Sequence, residues 1–219
     1  VRSGAETIMA LVKYNDRSLR NLTTAPAAAT NNPGALAHIK TLTASSSSTL
    51  SFVNGSSDVV LDSTYPIYLF KCIGIHPSAD SVSLQFNMSI DAGSNYNVTK
   101  TSTFFRAYHE EDDSGSPTVQ YFAASDLAQS TSDQRLTQAG GNANDEADCA
   151  ELYLFNPSST TFVKHFLGKG LTSSLNETQQ QFYIGGYGNT TSAVNAIKFQ
   201  MDSGNIDAGT IKLYGIKDA

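Results

Sequence analysis

Residues 82–90 read VSLQFNMSI. Val82, Leu84, Phe86, Met88 and Ile90 alternate with Ser83, Gln85, Asn87 and Ser89. A strict period of two places the apolar side chains on one side of an extended chain, whereas a helix would scatter them around its axis. The stretch is therefore predicted to be a half-buried strand, with its apolar face on a core and its polar face toward solvent. DAGSNYN (91–97) follows, rich in the Gly and Asn that turns demand.

The same pattern recurs on both sides. HIKTLTA (38–44) and TLSFVNG (49–55) precede it, the second closing on the turn pair Asn54-Gly55. IYLFKCIGI (67–75) is a near-continuous apolar run, short enough for a strand buried on both faces. TSTFFRAYH (101–109), TVQYFAA (118–124), CAELYLFN (149–156), TTFVKHFLG (160–168), QQFYIGGYG (180–188), NAIKFQM (195–201) and TIKLYGI (210–216) continue the series. Pro157-Ser158-Ser159 marks a tight turn, and GGYGN (185–189) reads as a bend or bulge. Asp91-Ala92-Gly93 and Asp207-Ala208-Gly209 read as two similar turns. SDLAQSTSDQRL (125–136) is the one candidate for a short helix, with Ser125 or Asp126 as its cap. About ten strands in one chain imply an all-β fold: two packed antiparallel sheets, a sandwich of jelly-roll type.

Residues 1–35 differ. NLTTAPAAATNNPGALA (21–37) is small, polar and punctuated by Pro26 and Pro33, with no surviving period. The expected organisation is an extended N-terminal arm over 1–35, which anchors the protein or joins subunits, and a β-sandwich over 36–219. VRSGAETIMALVKYN (1–15) has no apolar core followed by a small-residue cleavage site, so no secretory leader is expected, and Met9 is a candidate start.

Of the 219 residues only 16% are charged, and Ser, Thr, Asn and Gly fill the surface, as in many extracellular and virion-exposed β proteins. The net charge of −6 lacks the basic footprint of a nucleic-acid binder and is repelled by anionic membranes, so neither partner is expected. Cys72 and Cys149 have no partner at metal-ligand spacing and lie in apolar runs, which favours buried free thiols over a disulfide.

Signs of catalysis are missing. There is no G-x-S-x-G elbow, P-loop or G-x-G-x-x-G, and no Cys–His arrangement that spacing supports. His38, His76, His109 and His165 are not spaced as metal pairs and read as structural, His76 in a loop before Pro77. The densest acidic run, HEEDDSGS (109–116), offers Glu110, Glu111, Asp112 and Asp113 as Ca²⁺ ligand candidates. It lacks the alternating ligands of an EF-hand, and a solvated hairpin loop is the favoured reading, as for NANDEADC (142–149). Paired carboxylates raise glycoside hydrolysis, but no Trp is present and nothing supplies an aromatic cleft. A non-enzymatic protein without cofactor is expected.

TLTASSSSTLSFVNG (41–55), STYPIYLFKCIGIHPSAD (63–80), SIDAGSNYNVTKTSTFFRAYH (89–109), LYLFNPSSTTFVKHF (152–166) and SGNIDAGTIKLYGI (203–216) carry a likeness of phrasing. Across residues 36–216 the chain resembles small virion structural proteins of tailed bacteriophages, especially marine and cyanobacterial ones. VKYNDRSLRNLTTAP (12–26) is similar to the lead-in of such proteins. The resemblance implies a non-enzymatic virion component: a capsid decoration or head-fibre protein, with a receptor- or glycan-binding tail-fibre module as the alternative. It implies other capsid or tail subunits as partners, a homo-oligomer with a trimer favoured, and no transferable active-site residues. The arm residues Tyr14, Arg17, Leu19 and Arg20 would then make the subunit interface. On the alternative, loops near Tyr96, Tyr108, Tyr121, Tyr183 and Tyr187 would meet a host surface glycan, since a tyrosine joins an apolar ring to a polar tip.

Overall fold

A computed structural model describes residues 35–174 and 177–217. The arm over 1–35, with Tyr14, Arg17, Leu19 and Arg20, thus lies outside the described residues except at Ala35.

The described chain contains no helix and forms twelve strands. These are β1 (Leu36–Thr43), β2 (Leu50–Val53), β3 (Ile67–Pro77), β4 (Leu84–Ser89), β5 (Lys100–Glu110) and β6 (Thr118–Tyr121). They continue with β7 (Gln134–Arg135), β8 (Asp148–Phe155), β9 (Lys164–Ser174), β10 (Thr178–Gly188), β11 (Ala196–Met201) and β12 (Ile206–Ile216). All pairings are antiparallel. An eight-stranded sheet runs β1-β12-β3-β8-β9-β10-β5-β6, and a four-stranded sheet runs β2-β11-β4-β7.

Period-two patterning places one face of each sheet in a common core. Tyr68, Phe70, Leu152, Leu154, Phe166, Phe182, Ile184 and Leu213 of the larger sheet meet Phe52, Leu84, Phe86, Met88, Ile197 and Phe199 of the smaller. Aromatic edges join the two layers: Phe52 to Phe70 at 5.4 Å and Phe86 to Phe166 at 5.2 Å between ring centroids. Each such pair adds about 0.5–1.5 kcal/mol to what area burial alone supplies.

Several local expectations are corrected. Segment 125–136 is not a helix: Lys100 and Ser130 exchange backbone hydrogen bonds, and the Ser102 amide donates to the Leu127 carbonyl. Those bonds lay the segment along the lower half of β5 and draw its end into β7. β6 stops at Tyr121, and β9 begins at Lys164 rather than Thr160. His76 lies on β3, not in a loop, with Nε2 3.1 Å from the Ala143 carbonyl oxygen. Residues 185–188 are neither bend nor bulge, since β10 keeps unbroken register with both neighbours. Residues 207–209 are not a turn but a bulge within β12. Gly209 (φ +114°) takes a left-handed backbone there, and a Cβ on it would strike the carbonyl of Gly74 (φ +57°), which occupies the facing bulge of β3. β3 is buried on both faces only around Leu69, since Ile73 is 45% exposed at the bulge. The polar side of β4 is not solvated: Ser83, Asn87 and Ser89 are buried, whereas Ile90 is exposed.

Candidate functional site

Two surfaces and two buried ionisable groups stand out. The first surface is the outer face of the eight-stranded sheet. One transverse row crosses it in register: Lys212, Lys71, Glu151 and Lys169, then Tyr183, Phe105 and Tyr121. Lys71 Nζ pairs with Glu151 Oε1 at 3.0 Å, and the hydrogen bond and charge of Glu151 raise the Lys71 pKa. Lys169 Nζ stands 5.8 Å from the Tyr183 ring centroid, and Tyr183 stacks on Phe105 at 5.2 Å. Around this row Ile73, Leu167, Leu171 and Val119 are exposed, Val119 at 73%. At the β3 bulge a hollow of about 340 Å³ opens between Ile73, Cys149 and Leu171. The Cys149 sulfur accepts the Gly74 amide there at 3.5 Å. Both cysteines are free, as expected, but only Cys72 is buried. Burial pushes the Cys72 thiol well above its usual range.

The second surface is a polar cleft of about 540 Å³ on the outer side of the smaller sheet. Gln85 and Asn87 of β4 form its floor, Tyr96 of the β4–β5 loop stands at its side, and residues 124–135 form the far wall. Asp133 ties these parts together. Its Oδ1 accepts from Asn87 Nδ2 at 2.6 Å, its Oδ2 from Gln200 Nε2 at 2.8 Å, and Lys198 Nζ lies 3.4 Å from Oδ2. Arg135 faces Asp202 at 3.3 Å. Behind the wall, buried Gln134 accepts from the Ser102 hydroxyl at 2.5 Å and donates to the Ser125 carbonyl at 3.0 Å.

Beneath the cleft lies Lys100, fully buried. Its ammonium donates to Asn87 Oδ1 at 2.6 Å and to the Val98 carbonyl at 2.8 Å. Desolvation lowers its pKa to about 8, against an opposing pull from Asp133. Toward the opposite end of the sheets Asp148 is equally buried. It accepts from the hydroxyls of Thr137 at 2.5 Å and of Thr172. Desolvation raises its pKa to about 6, and the two hydroxyls pull it back down.

The acidic run falls at the end of β5 and in the following loop, where its carboxylates are occupied locally. Glu110 accepts from the Ser114 hydroxyl at 2.7 Å, and Asp113 pairs with His109 at 3.2 Å. Asp112 is held below its usual range by Ser114, through a side-chain and a backbone hydrogen bond. The structure thus does not converge Glu110, Glu111, Asp112 and Asp113 on one point, and among the described residues no group of three or more His, Cys, Asp or Glu could hold a metal ion. Of the five tyrosines, Tyr108, Tyr121, Tyr183 and Tyr187 lie on strands, and Tyr96 alone borders the cleft. Lys100, Asp133 and Asp148 give no sequence signal: each looks like an ordinary polar residue at a strand end or in a loop.

Among the described residues no helix is long and apolar enough to cross a membrane. No protein-family model, curated protein or solved structure matches the chain.

Proposed function

We propose that this chain is a non-enzymatic structural protein of a tailed-phage virion, a capsid decoration or head-fibre subunit built on a jelly roll and held by its N-terminal arm. Strand order supports the jelly-roll part of the reading. Without β5-β6 and β9-β10, the two sheets reduce to β1-β12-β3-β8 and β2-β11-β4-β7. Four strands in each sheet, with the last strand seated between the first and third, is the order of two interleaved Greek keys. That architecture is common among capsid and lectin domains. The pairs β5-β6 and β9-β10 then act as additions that widen one sheet to eight strands. Fold alone does not assign a role. The resemblance of residues 36–216 to virion structural proteins supports a virion lineage, and the exposed Ile73, Leu167, Leu171 and Val119 on the widened sheet offer a surface for neighbouring subunits. Exposed apolar side chains gathered on one face mark interaction sites. On this reading the partners are other virion proteins and further copies of this chain, in a trimer.

The test is the position of the protein on intact particles, by gold-labelled antibody. Label spread over the capsid supports the reading; label confined to the tail tip, or none on the particle, sinks it.

A further inference from the structure

The polar cleft on the smaller sheet is pre-formed. Asn87 and Asp133 are locked to each other, to Gln200 and to Lys100. Buried Gln134 pins the far wall to β5 through Ser102. A ligand entering such a site orders little protein, which favours binding.

What remains unengaged defines the ligand. The half-buried Gln85 makes no side-chain hydrogen bond among the described residues, so its amide offers a donor and an acceptor to the cleft. The Thr131 and Ser132 hydroxyls, both exposed, add groups that donate and accept. Asp126 shares one carboxylate oxygen with the Tyr121 hydroxyl and keeps the other. Tyr96 adds a ring, against which Lys198 Nζ stands at 5.6 Å from the centroid. Charge nearly cancels: Asp126, Asp133 and Asp202 stand against Arg135 and Lys198. A phosphate or sulfate finds no surplus of cation there, and an apolar molecule would strip water from unpaired amides and hydroxyls at a cost.

We propose that the cleft between Gln85, Tyr96 and Asp126 is a carbohydrate-binding site for a neutral sugar. Neighbouring hydroxyls of a sugar donate and accept at once, as do Gln85, Thr131 and Ser132, and its C–H face can pack on the Tyr96 ring. The proposal is independent of where the protein sits on a particle.

The test uses the full chain, isotopically labelled, titrated with neutral hexoses, N-acetylhexosamines and their disaccharides while backbone amide signals are followed. At least one sugar is expected to give saturable shifts confined to Gln85, Tyr96 and residues 124–135. Gln85→Ala and Tyr96→Ala are each expected to weaken that binding about tenfold, the loss that one good hydrogen bond or ring contact produces. Gly185→Ala on the larger sheet, whose Cβ would meet only the Thr103 hydroxyl at 3.9 Å, is expected to leave it unchanged. The Gln85 variant breaks no side-chain hydrogen bond among the described residues, so it stays informative if the Tyr96 variant misfolds. The proposal is overturned if no sugar gives saturable shifts up to roughly 50 mM, far above the millimolar constants of weak sites. It is equally overturned if the Gln85 variant binds as well as the parent, or if inorganic phosphate or a simple alkylamine binds the cleft more tightly than every sugar.

Discussion

Lys100 Nζ stands 2.6 Å from Asn87 Oδ1, and both residues are closed off from solvent. An ammonium belonging to β5 is thus received by an amide on what the sequence marks as the solvent face of β4. The strand keeps its polar side, but residues 131–133 roof it, and Asn87 donates to the Thr131 carbonyl at 3.0 Å as part of that roof.

This burial makes stability depend on alkaline pH. The folded pKa of Lys100 is depressed to about 8 from its ordinary value of 10.5, so the folded state holds the proton less tightly than the unfolded chain. The associated stability is present above the unfolded value and is lost as pH falls through about 8. Raising pH from 7 to 9 should therefore add roughly 1 kcal/mol. Urea unfolding at the two pH values checks this, and Lys100→Met should abolish the increment.

Asp148 produces the opposite slope. Its folded pKa is raised to about 6 above the ordinary 3.8, so the folded state binds the proton more tightly. Stability from this group is full below the unfolded value and is lost as pH rises through about 6. Acidifying from pH 7 to 5 should add roughly 1 kcal/mol, and Asp148→Asn should flatten the profile over that interval. The same denaturant midpoints decide it, with carboxyl NMR titration of Asp148 as the direct reading.

The fold was largely legible because alternation is a local signal. Leu84, Phe86 and Met88 announce a core face in any arrangement of neighbours. The limits of that signal are equally physical. Period two separates the two faces of a strand, but it cannot say which polar face a distant loop will cover, so Asn87 reads as a surface residue and Lys100 gives no signal. The turn-like Asp207-Ala208-Gly209 falls inside a strand because Gly209 makes room for the Gly74 carbonyl, a contact across 135 residues of chain. The cleft was legible only at Tyr96. Its other wall, residues 124–135, has a helix-like composition and takes its shape from hydrogen bonds to β5.

Gly170 and Leu136 supply a packing test. Gly170 lies on the inner face of β9, and a Cβ built there would sit on the Leu136 carbonyl, with the Thr137 methyl 3.1 Å away. Gly168 leaves similar room, since its Cβ would lie 3.1 Å from a Leu136 methyl. The bare stretch of β9 lets the chain leaving β7 pass close to the sheet. Gly170→Ala must push backbone aside, which typically costs about 1–3 kcal/mol or more. Gly185→Ala is the control: its Cβ would meet only the Thr103 hydroxyl at 3.9 Å. Thermal unfolding of the two variants should separate them by several degrees.

The apolar outer face makes the last prediction. Val119 on β6 and Leu171 on β9 are both exposed and share the side that carries Phe105 and Tyr183. Val119 is 73% exposed and Leu171 46%, and neither belongs to the buried core, so replacing either with aspartate should change the folding of the isolated domain by no more than about 1 kcal/mol. In an assembled state the same carboxylate would be pressed against an apolar partner surface, where an unpaired charge is costly. The double variant Val119→Asp, Leu171→Asp should therefore unfold at nearly the parent temperature yet lose its association with other copies. Sedimentation velocity across a range of concentrations reads this directly. A parent that stays monomeric throughout, or a double variant that assembles as the parent does, removes the outer face from subunit contact. Loss of assembly with an unchanged unfolding midpoint assigns the eight-stranded sheet to the interface.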